Sequence, residues 1–317
     1  MSEALPAFGF DVGGQSAKVA LVSPSGDVVA QTTIATGDGT TADSLADAIS
    51  ATRKELCAAH SVPAGAAVGV GIAGVLGRDG ALRGAPHLPL LVGCRLAELI
   101  GARTGAAAVV HNDVDCAAVA EGWGGAADGL DDYLMIAIGT GVGSGLVLGG
   151  RLRVGRSNFG CEFGHAMVVH QGRRCGCGNL GCLEAYICET AARAFADEAP
   201  NEVRERIAAR REKAGGGFAQ AIFELGAAGD ADAEAIAAIM VDMLGAAIGS
   251  VVNVLDLETI VLGGGIAPGV LARLARLRAA MAGTLFVRAE SEITILAAAR
   301  GSLAGAIGAA RLGMLAR

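Results

Sequence analysis

The chain has 317 residues, of which 52% are hydrophobic and 18% charged, with 49 glycines and a formal net charge of −7. That length exceeds a minimal single-core domain and suits two lobes sharing a cleft, or one large α/β unit. The acidic balance argues against contact with a nucleic-acid backbone, so no nucleic-acid partner is expected. Glycine is abundant without being periodic and concentrates at turns, which suggests many tight connections between strands and helices. Met1–Phe8 carries Glu3 and shows neither a basic flank nor an apolar leader core. The longest apolar stretch, Ile236–Leu262, contains Asp242, Asn253, Asp256 and Glu258. Those groups are costly in lipid, so the stretch reads as a buried helix followed by a strand. A soluble, cytoplasmic protein with no membrane partner is the expectation.

The first elements read as strands: Ala7–Asp11, Ala17–Val22 and Asp27–Ile34, separated by Gly13-Gly14 and by Ser23-Pro24-Ser25-Gly26. They form an antiparallel meander whose first turn is a glycine loop. A helix follows over about Thr41–Ala59, then a buried strand Ala67–Ile72, a helix near Cys94–Gly101 and a strand Ala107–His111. The pattern then restarts. Asp132–Ile138 is a strand, Gly139-Thr140-Gly141 a glycine turn, Gly143–Leu148 a strand, and Arg151–Val154 another after Gly149-Gly150. Helices are expected near Ala185–Glu198, Glu202–Lys213 and Glu234–Asn253. A strand Thr259–Leu262 ends in Gly263-Gly264-Gly265. A last strand Glu292–Ala297 precedes a small-residue helix over about Gly301–Leu315. Two halves that each begin with a meander and a glycine turn offer two phosphate-facing loops, since ligands of open α/β sheets gather at the carboxyl ends of strands.

Asp11-Val12-Gly13-Gly14-Gln15-Ser16 is the first loop. Glycines let backbone N–H groups approach a phosphate, and Asp11 at a strand end is placed to hold Mg²⁺ through water. A plain hairpin turn preceded by an Asp explains the same residues. Gly139-Thr140-Gly141-Val142-Gly143 sits at the matching place in the second half, and the pair favours phosphate binding over two coincidental turns. Neither loop is a Walker-type P-loop, and Gly141-x-Gly143 leads into a strand, unlike a dinucleotide fingerprint. Asp113 follows a strand directly and reads either as the N-cap of the next helix or as a carboxylate facing a cleft.

Three cysteines crowd into eight residues: His165-x9-Cys175-x-Cys177-x4-Cys182. One imidazole and three thiolates are a set for tetrahedral structural zinc, and with four protein ligands no position stays open for catalysis. Cys57, Cys94, Cys116, Cys161 and Cys188 lie among apolar neighbours and read as small buried hydrophobes. Glu162 and Glu184 flank the cluster. Carboxylates held near an ordered metal loop suit a polyhydroxylated ligand, because each accepts hydrogen bonds from hydroxyls.

Taken in order, these segments resemble the ROK family (repressor, open reading frame, kinase) within the actin-like ATPase, or ribonuclease H-like, fold. The resemblance rests on Asp11-Val12-Gly13-Gly14 with Lys18; His111-Asn112-Asp113 with Cys116-Ala117-Ala118 and Glu121; Ile138–Gly143; Glu162-Phe163-Gly164-His165; Cys175–Glu184; Val261–Gly265; and the tail Ala304–Ala310. It implies a two-lobed α/β protein with a zinc-binding loop: a small lobe over 1–113, a large lobe over 114–300, and a closing helix over 301–317 that packs back on the small lobe. It also implies an ATP-dependent hexose kinase. Asp113 would be the general base toward the sugar 6-hydroxyl. Gly74, His87, Asn112, Asp113, Glu162, His165 and Glu184 would contact sugar. Asp11, Gly13, Gly14, Gln15, Lys18, Gly139, Thr140, Gly141, Gly263, Gly264 and Gly265 would hold ATP with Mg²⁺. His165, Cys175, Cys177 and Cys182 would bind zinc. Gln15 stands where the family usually has Thr, His87 where it often has Asn, and Gly160-Cys161 where Ala-Gly is commoner. Glucose is the first expected substrate, with N-acetylglucosamine or N-acetylmannosamine as the alternative. A repressor of the family would need an N-terminal DNA-binding domain ahead of Asp11, and a non-catalytic sugar-binding protein would not need Asp113 and both glycine loops. A homodimer or homotetramer is the family's usual state.

Overall fold

The computed structural model describes residues 5–316; residues 1–4, part of the segment without a leader pattern, and Arg317 lie outside the described residues. The chain divides into two compact units. Among the described residues, one contains everything up to Asp132, then Gly145–Cys161 and the chain from Ala298 onward; the other contains Tyr133–Ser144 and Glu162–Ala297.

The first unit is built on a mixed sheet of β1 (Ala7–Val12), β2 (Ser16–Val22), β3 (Val28–Ala35), β4 (Val68–Ile72) and β7 (Ala108–Asn112). The order is β3-β2-β1-β4-β7. β1, β2 and β3 form the antiparallel meander, while β1, β4 and β7 run parallel. Strand alternation sends different sizes to the two faces. Phe8, Phe10, Val12, Val68, Val70 and Ile72 share a core with Leu45 and Ile49 of α1 (Ala42–His60) and with Leu96 and Ile100 of α2 (Leu96–Thr104). Thr41 caps α1 by accepting from the Ser44 N–H, and Ser44 returns the bond to the Thr41 N–H.

The opposite face carries Ala7, Ala20 and Ala67, and it receives α3 (Asp113–Glu121) and α10 (Ala304–Leu315). Small residues on both sides bring α10 into backbone contact with the sheet and with α3. A Cβ on Gly9 would lie 1.7 Å from the Ala306 carbonyl oxygen, and one on Gly308 would lie 1.7 Å from that of Cys116. The Gly/Ala content of the tail is therefore a packing requirement. A two-stranded hairpin of β5 (Val75–Leu76) and β6 (Leu82–Gly84) completes this region and was not expected from sequence.

In the second unit, β8 (Tyr133–Ile138), β11 (Thr259–Gly263) and β12 (Thr294–Ala297) run parallel in that order. β9 (Val142–Leu148) enters this unit with Val142–Ser144 and continues into the first unit, where it pairs with β10 (Arg151–Leu152). Helices α4 (Glu189–Glu198), α5 (Asn201–Ala214), α6 (Phe218–Ala227), α7 (Ala231–Leu255), α8 (Ala267–Leu271) and α9 (Leu274–Ala282) complete the unit, with α6 packed on α4, α5 and α7, α7 on α9, and α8 against β12. Sequence predicted α4 from Ala185, but Leu183–Ala185 forms a separate short 3-10 turn and α4 starts at Glu189.

α7 is long and apolar enough to cross a membrane by length and composition alone. It buries Met240, Val241, Leu244, Ile248 and Val252, and it packs against α6 and α9. That is the buried helix expected between Ile236 and the following strand. Of the five scattered cysteines, Cys116 and Cys188 are buried as expected, whereas Cys57, Cys94 and Cys161 are only half-buried. Cys57 and Cys94 lie at the margin of the first core. Cys161 belongs to a loop, where its φ is 63°.

Candidate active site

In the first unit the carboxyl ends of three parallel strands lie side by side, with Asp11 opposite Gly71 and Gly71 opposite His111. Asn112 ends β7 and caps α3: its Oδ1 accepts from the N–H groups of Val114 (2.8 Å) and Asp115 (3.2 Å). The cap reading of Asp113 is thereby corrected. Asn and Asp both cap well, and the residue that ends the strand takes the position. Asp113 becomes the first helical residue. Burial lifts its carboxyl above the ordinary range, against the pull of hydrogen bonds from the start of α3 and from Asn112. The Asn112 amide also donates to the Gly74 carbonyl at 3.2 Å, which brings three of the predicted sugar-contacting residues together.

Asp11 sits at the end of β1, directly across from Lys18. Its carboxyl is raised to about 6 by burial and by the charge of Asp113, with Lys18 opposing. Burial lowers the neighbouring His111, which favours the neutral imidazole. The first glycine turn closes with Gly13 N–H donating to the Ser16 carbonyl and Thr36 Oγ1 donating to the Gly13 carbonyl. His87 lies against this turn. A Cβ on Gly14 would come within 2.6 Å of the His87 Cβ, so only glycine fits there. Gln15 follows Gly14 in the turn and accepts the Thr36 N–H with its carbonyl.

In the second unit the four predicted metal ligands converge. The donor atoms of His165, Cys175, Cys177 and Cys182 all lie within 4.8 Å of one another. The sulfurs of Cys177 and Cys182 are 3.7 Å apart, and Cys175 Sγ is 3.7 Å from His165 Nδ1. A tetrahedral ion with metal–sulfur bonds of about 2.3 Å and metal–nitrogen bonds of about 2.0 Å has edges of about 3.8 Å and 3.5 Å. The donor set suits zinc, and the two short separations match the edges of such a site. Tight backbone bonds shape the loop: Cys175 N–H donates to the Asn179 carbonyl, and Gly178 N–H to that of Cys175.

The second glycine turn ends β8. Gly139 N–H donates to the Gly141 carbonyl at 2.9 Å. Gly263–Gly265 ends the neighbouring β11, and Gly264 has a φ of 84° with the Ile138 backbone 2.3 Å from where its Cβ would be. The two loops thus meet at the carboxyl ends of adjacent parallel strands. Glu162 is exposed and immediately precedes the turn that contains His165. Glu184 is half-buried, with Oε2 accepting the Val142 N–H at 2.9 Å and Oε1 lying 3.4 Å from Cys175 Sγ. Beside it opens a cavity of about 430 Å³, lined in part by Arg174, Cys175, Cys188 and Thr190. Sequence gave no hint of the start of α4 meeting the glycine turn. There the Glu189 N–H donates to the Gly139 carbonyl and Thr190 Oγ1 to that of Thr140.

A sequence profile of the ROK family matches residues 7–314. The chain belongs to the ROK family. It is 32% identical over 267 residues to a glucokinase of Thermotoga maritima, covering 83% of this chain and 82% of that protein. An N-acetylmannosamine kinase of Escherichia coli is 31% identical over the same number of residues, with coverage of 83% and 84%. Among solved structures, a ROK glucokinase of Streptomyces griseus in complex with glucose and AMPPNP superposes with a TM-score of 0.79 at 31% identity, covering 98% of this chain and 99% of that one. The fold of this ROK protein is accordingly the α/β, mixed-sheet, actin-like architecture of the family's sugar kinases.

Proposed function

We propose that this ATP-dependent sugar kinase of the ROK family phosphorylates the 6-hydroxyl of glucose, with Asp113 as general base. One observation carries the reading: Asn112 takes the capping role, which leaves Asp113 at a strand's carboxyl end with its affinity for protons raised by burial. A base whose pKa moves toward the operating pH accepts a hydroxyl proton more readily. Phosphoryl transfer otherwise needs positioning and charge neutralisation. In this reading Gly13, Gly14, Gln15, Lys18, Gly139, Thr140, Gly141 and Gly263–Gly265 hold ATP. Asp11 would hold Mg²⁺, which neutralises phosphate charge when bound. Gly74, His87, Asn112, Glu162, His165 and Glu184 orient the sugar.

Zinc on His165, Cys175, Cys177 and Cys182 would fix the loop that carries Glu184 while taking no part in the reaction. Ligation through His165 Nδ1 would leave Nε2 for a sugar hydroxyl. The similarity to an N-acetylmannosamine kinase at comparable identity and coverage supports a second reading, in which the substrate is an N-acetylhexosamine. A cytoplasmic homodimer or homotetramer is the assembly expected with either.

Steady-state turnover of ATP-Mg²⁺ against glucose, mannose, fructose, N-acetylglucosamine and N-acetylmannosamine tests the proposal. Glucose should show the highest kcat/KM. A preference for an N-acetylated sugar would replace the first reading by the second, and sugar binding without turnover would leave a non-catalytic binder.

A further inference from the structure

We infer that Glu184 is a positioning residue that ties the metal loop to the Gly139–Val142 turn, so that metal occupancy sets nucleotide affinity. The inference rests on the proposal that this turn faces ATP. The contacts come from both arms of the metal loop. On the outgoing arm, two residues after Cys182, Glu184 accepts the Val142 N–H at 2.9 Å. The same carboxylate approaches Gly141 so closely that a Cβ there would lie 2.5 Å from Oε2. Glu189 and Thr190, further along this arm, hold the carbonyls of Gly139 and Thr140. On the incoming arm, beside His165, the Phe163 N–H donates to Ser144 Oγ at 3.1 Å. Gly164 stacks on the Val142 carbonyl, with 2.1 Å between that oxygen and a notional Cβ.

The turn is therefore gripped at successive residues by the two chain segments that the four metal donors hold together. A bound ion removes the freedom of those segments before any ligand arrives, and preordering of this kind raises affinity by lowering the ordering cost of binding. Glu184 joins metal loop and turn directly, since it follows the ligand Cys182 by two residues and holds the Val142 N–H of the turn with its carboxylate. A carboxylate has lone pairs left after these contacts, so the tether is compatible with a sugar hydroxyl as a further partner.

The test measures binding of AMPPNP-Mg²⁺ by calorimetry without sugar, together with amide hydrogen exchange over residues 139–144. Chelation of the metal should weaken nucleotide binding about tenfold, the scale of one charge-assisted hydrogen bond lost, and accelerate exchange at Val142, with both restored by added zinc. Glu184→Ala should reproduce both effects while retaining its metal. Glu184→Gln keeps an oxygen that accepts the Val142 N–H and should stay close to wild type in both. Amides of β1 and α1 report whether a variant has unfolded globally. Wild-type affinity and wild-type Val142 exchange in metal-loaded Glu184→Ala would overturn the inference. If the metal-loaded wild type binds no nucleotide, the kinase reading fails, and Val142 exchange alone decides the tether.

Discussion

The charge of Asp113 bears on the carboxyl of Asp11 and, added to burial, holds it at about 6 where an ordinary aspartate lies at 3.8. Lys18, across the hairpin from Asp11, only partly offsets this. Two acids placed so that neither ionises freely form a poor arrangement for stability and a suitable one for a divalent cation and a proton acceptor.

The Asp11 shift predicts a pH dependence of stability. Because the folded pKa is raised, the native state binds the proton more tightly. The associated stability is fully present below about 3.8 and is lost as pH rises through about 6. Asp11→Asn removes the titration. Relative to wild type, its unfolding free energy without Mg²⁺ or nucleotide should rise between pH 4 and pH 7.5, by about 3 kcal/mol at most. Urea unfolding of both proteins at the two pH values measures this, and a gap that does not change with pH would contradict it.

Asp113→Asn preserves side-chain size and leaves the Asn112 cap in place. It should lower kcat by roughly 10²–10⁴ with little change in melting temperature, the usual scale for loss of a general base. Single-turnover phosphoryl transfer separates this from slow product release. Turnover near the wild-type rate would remove Asp113 from the base role.

Freshly purified protein should contain about one zinc per chain by elemental analysis, as expected of a single four-ligand site. Cys177→Ser replaces the exposed ligand. It should lose most of the metal and lower activity while the first unit keeps its stability. Preparations that carry no zinc yet turn over fully would refute the metal assignment.

Glu121 is fully buried and accepts from the N–H groups of Ala126 (2.7 Å), Ala299 (2.9 Å) and Arg300 (2.9 Å). Glu121→Ala would leave these donors without the carboxylate and should cost about 3 kcal/mol or more. Glu121→Gln, which still offers one oxygen, should cost less. Denaturant titration of the two variants gives the comparison.

Much of this was legible in local pattern. The meander of β1–β3 follows from apolar runs broken by turn residues, α1 from helical spacing, and the metal cluster from three cysteines lying within one short loop. What was missed depends on tertiary context. α6 and α9 are an exception, since Phe218, Ile222 and Leu225 in one and Leu274, Leu277 and Met281 in the other lie at helical spacing and were legible, whereas α8, five residues long, is too short for a period to show. β5 and β6 have two and three residues, too few for alternation to register. Asn112 and Asp113 are adjacent capping residues, and only the end of β7 decides between them. The second partner of Glu184 was invisible because Val142 contributes a backbone N–H, which no side-chain pattern encodes. The exposure of Cys57, Cys94 and Cys161 likewise depends on what lies beside them, whatever their own chemistry.

The seating of α10 has a consequence for synthesis. A ribosome completes β1–β4, β7 and α3 early, yet the helix that covers their small-residue face is translated only after all of residues 162–297. Until then the alanine- and glycine-lined surface of the nascent first unit stays open, while the second unit can already fold. Completion of the first unit therefore waits for the end of the chain. A stall or premature stop before Ala304 would leave the small-residue face of this sheet without the helix that covers it, which exposes the nascent unit to chaperones and proteases.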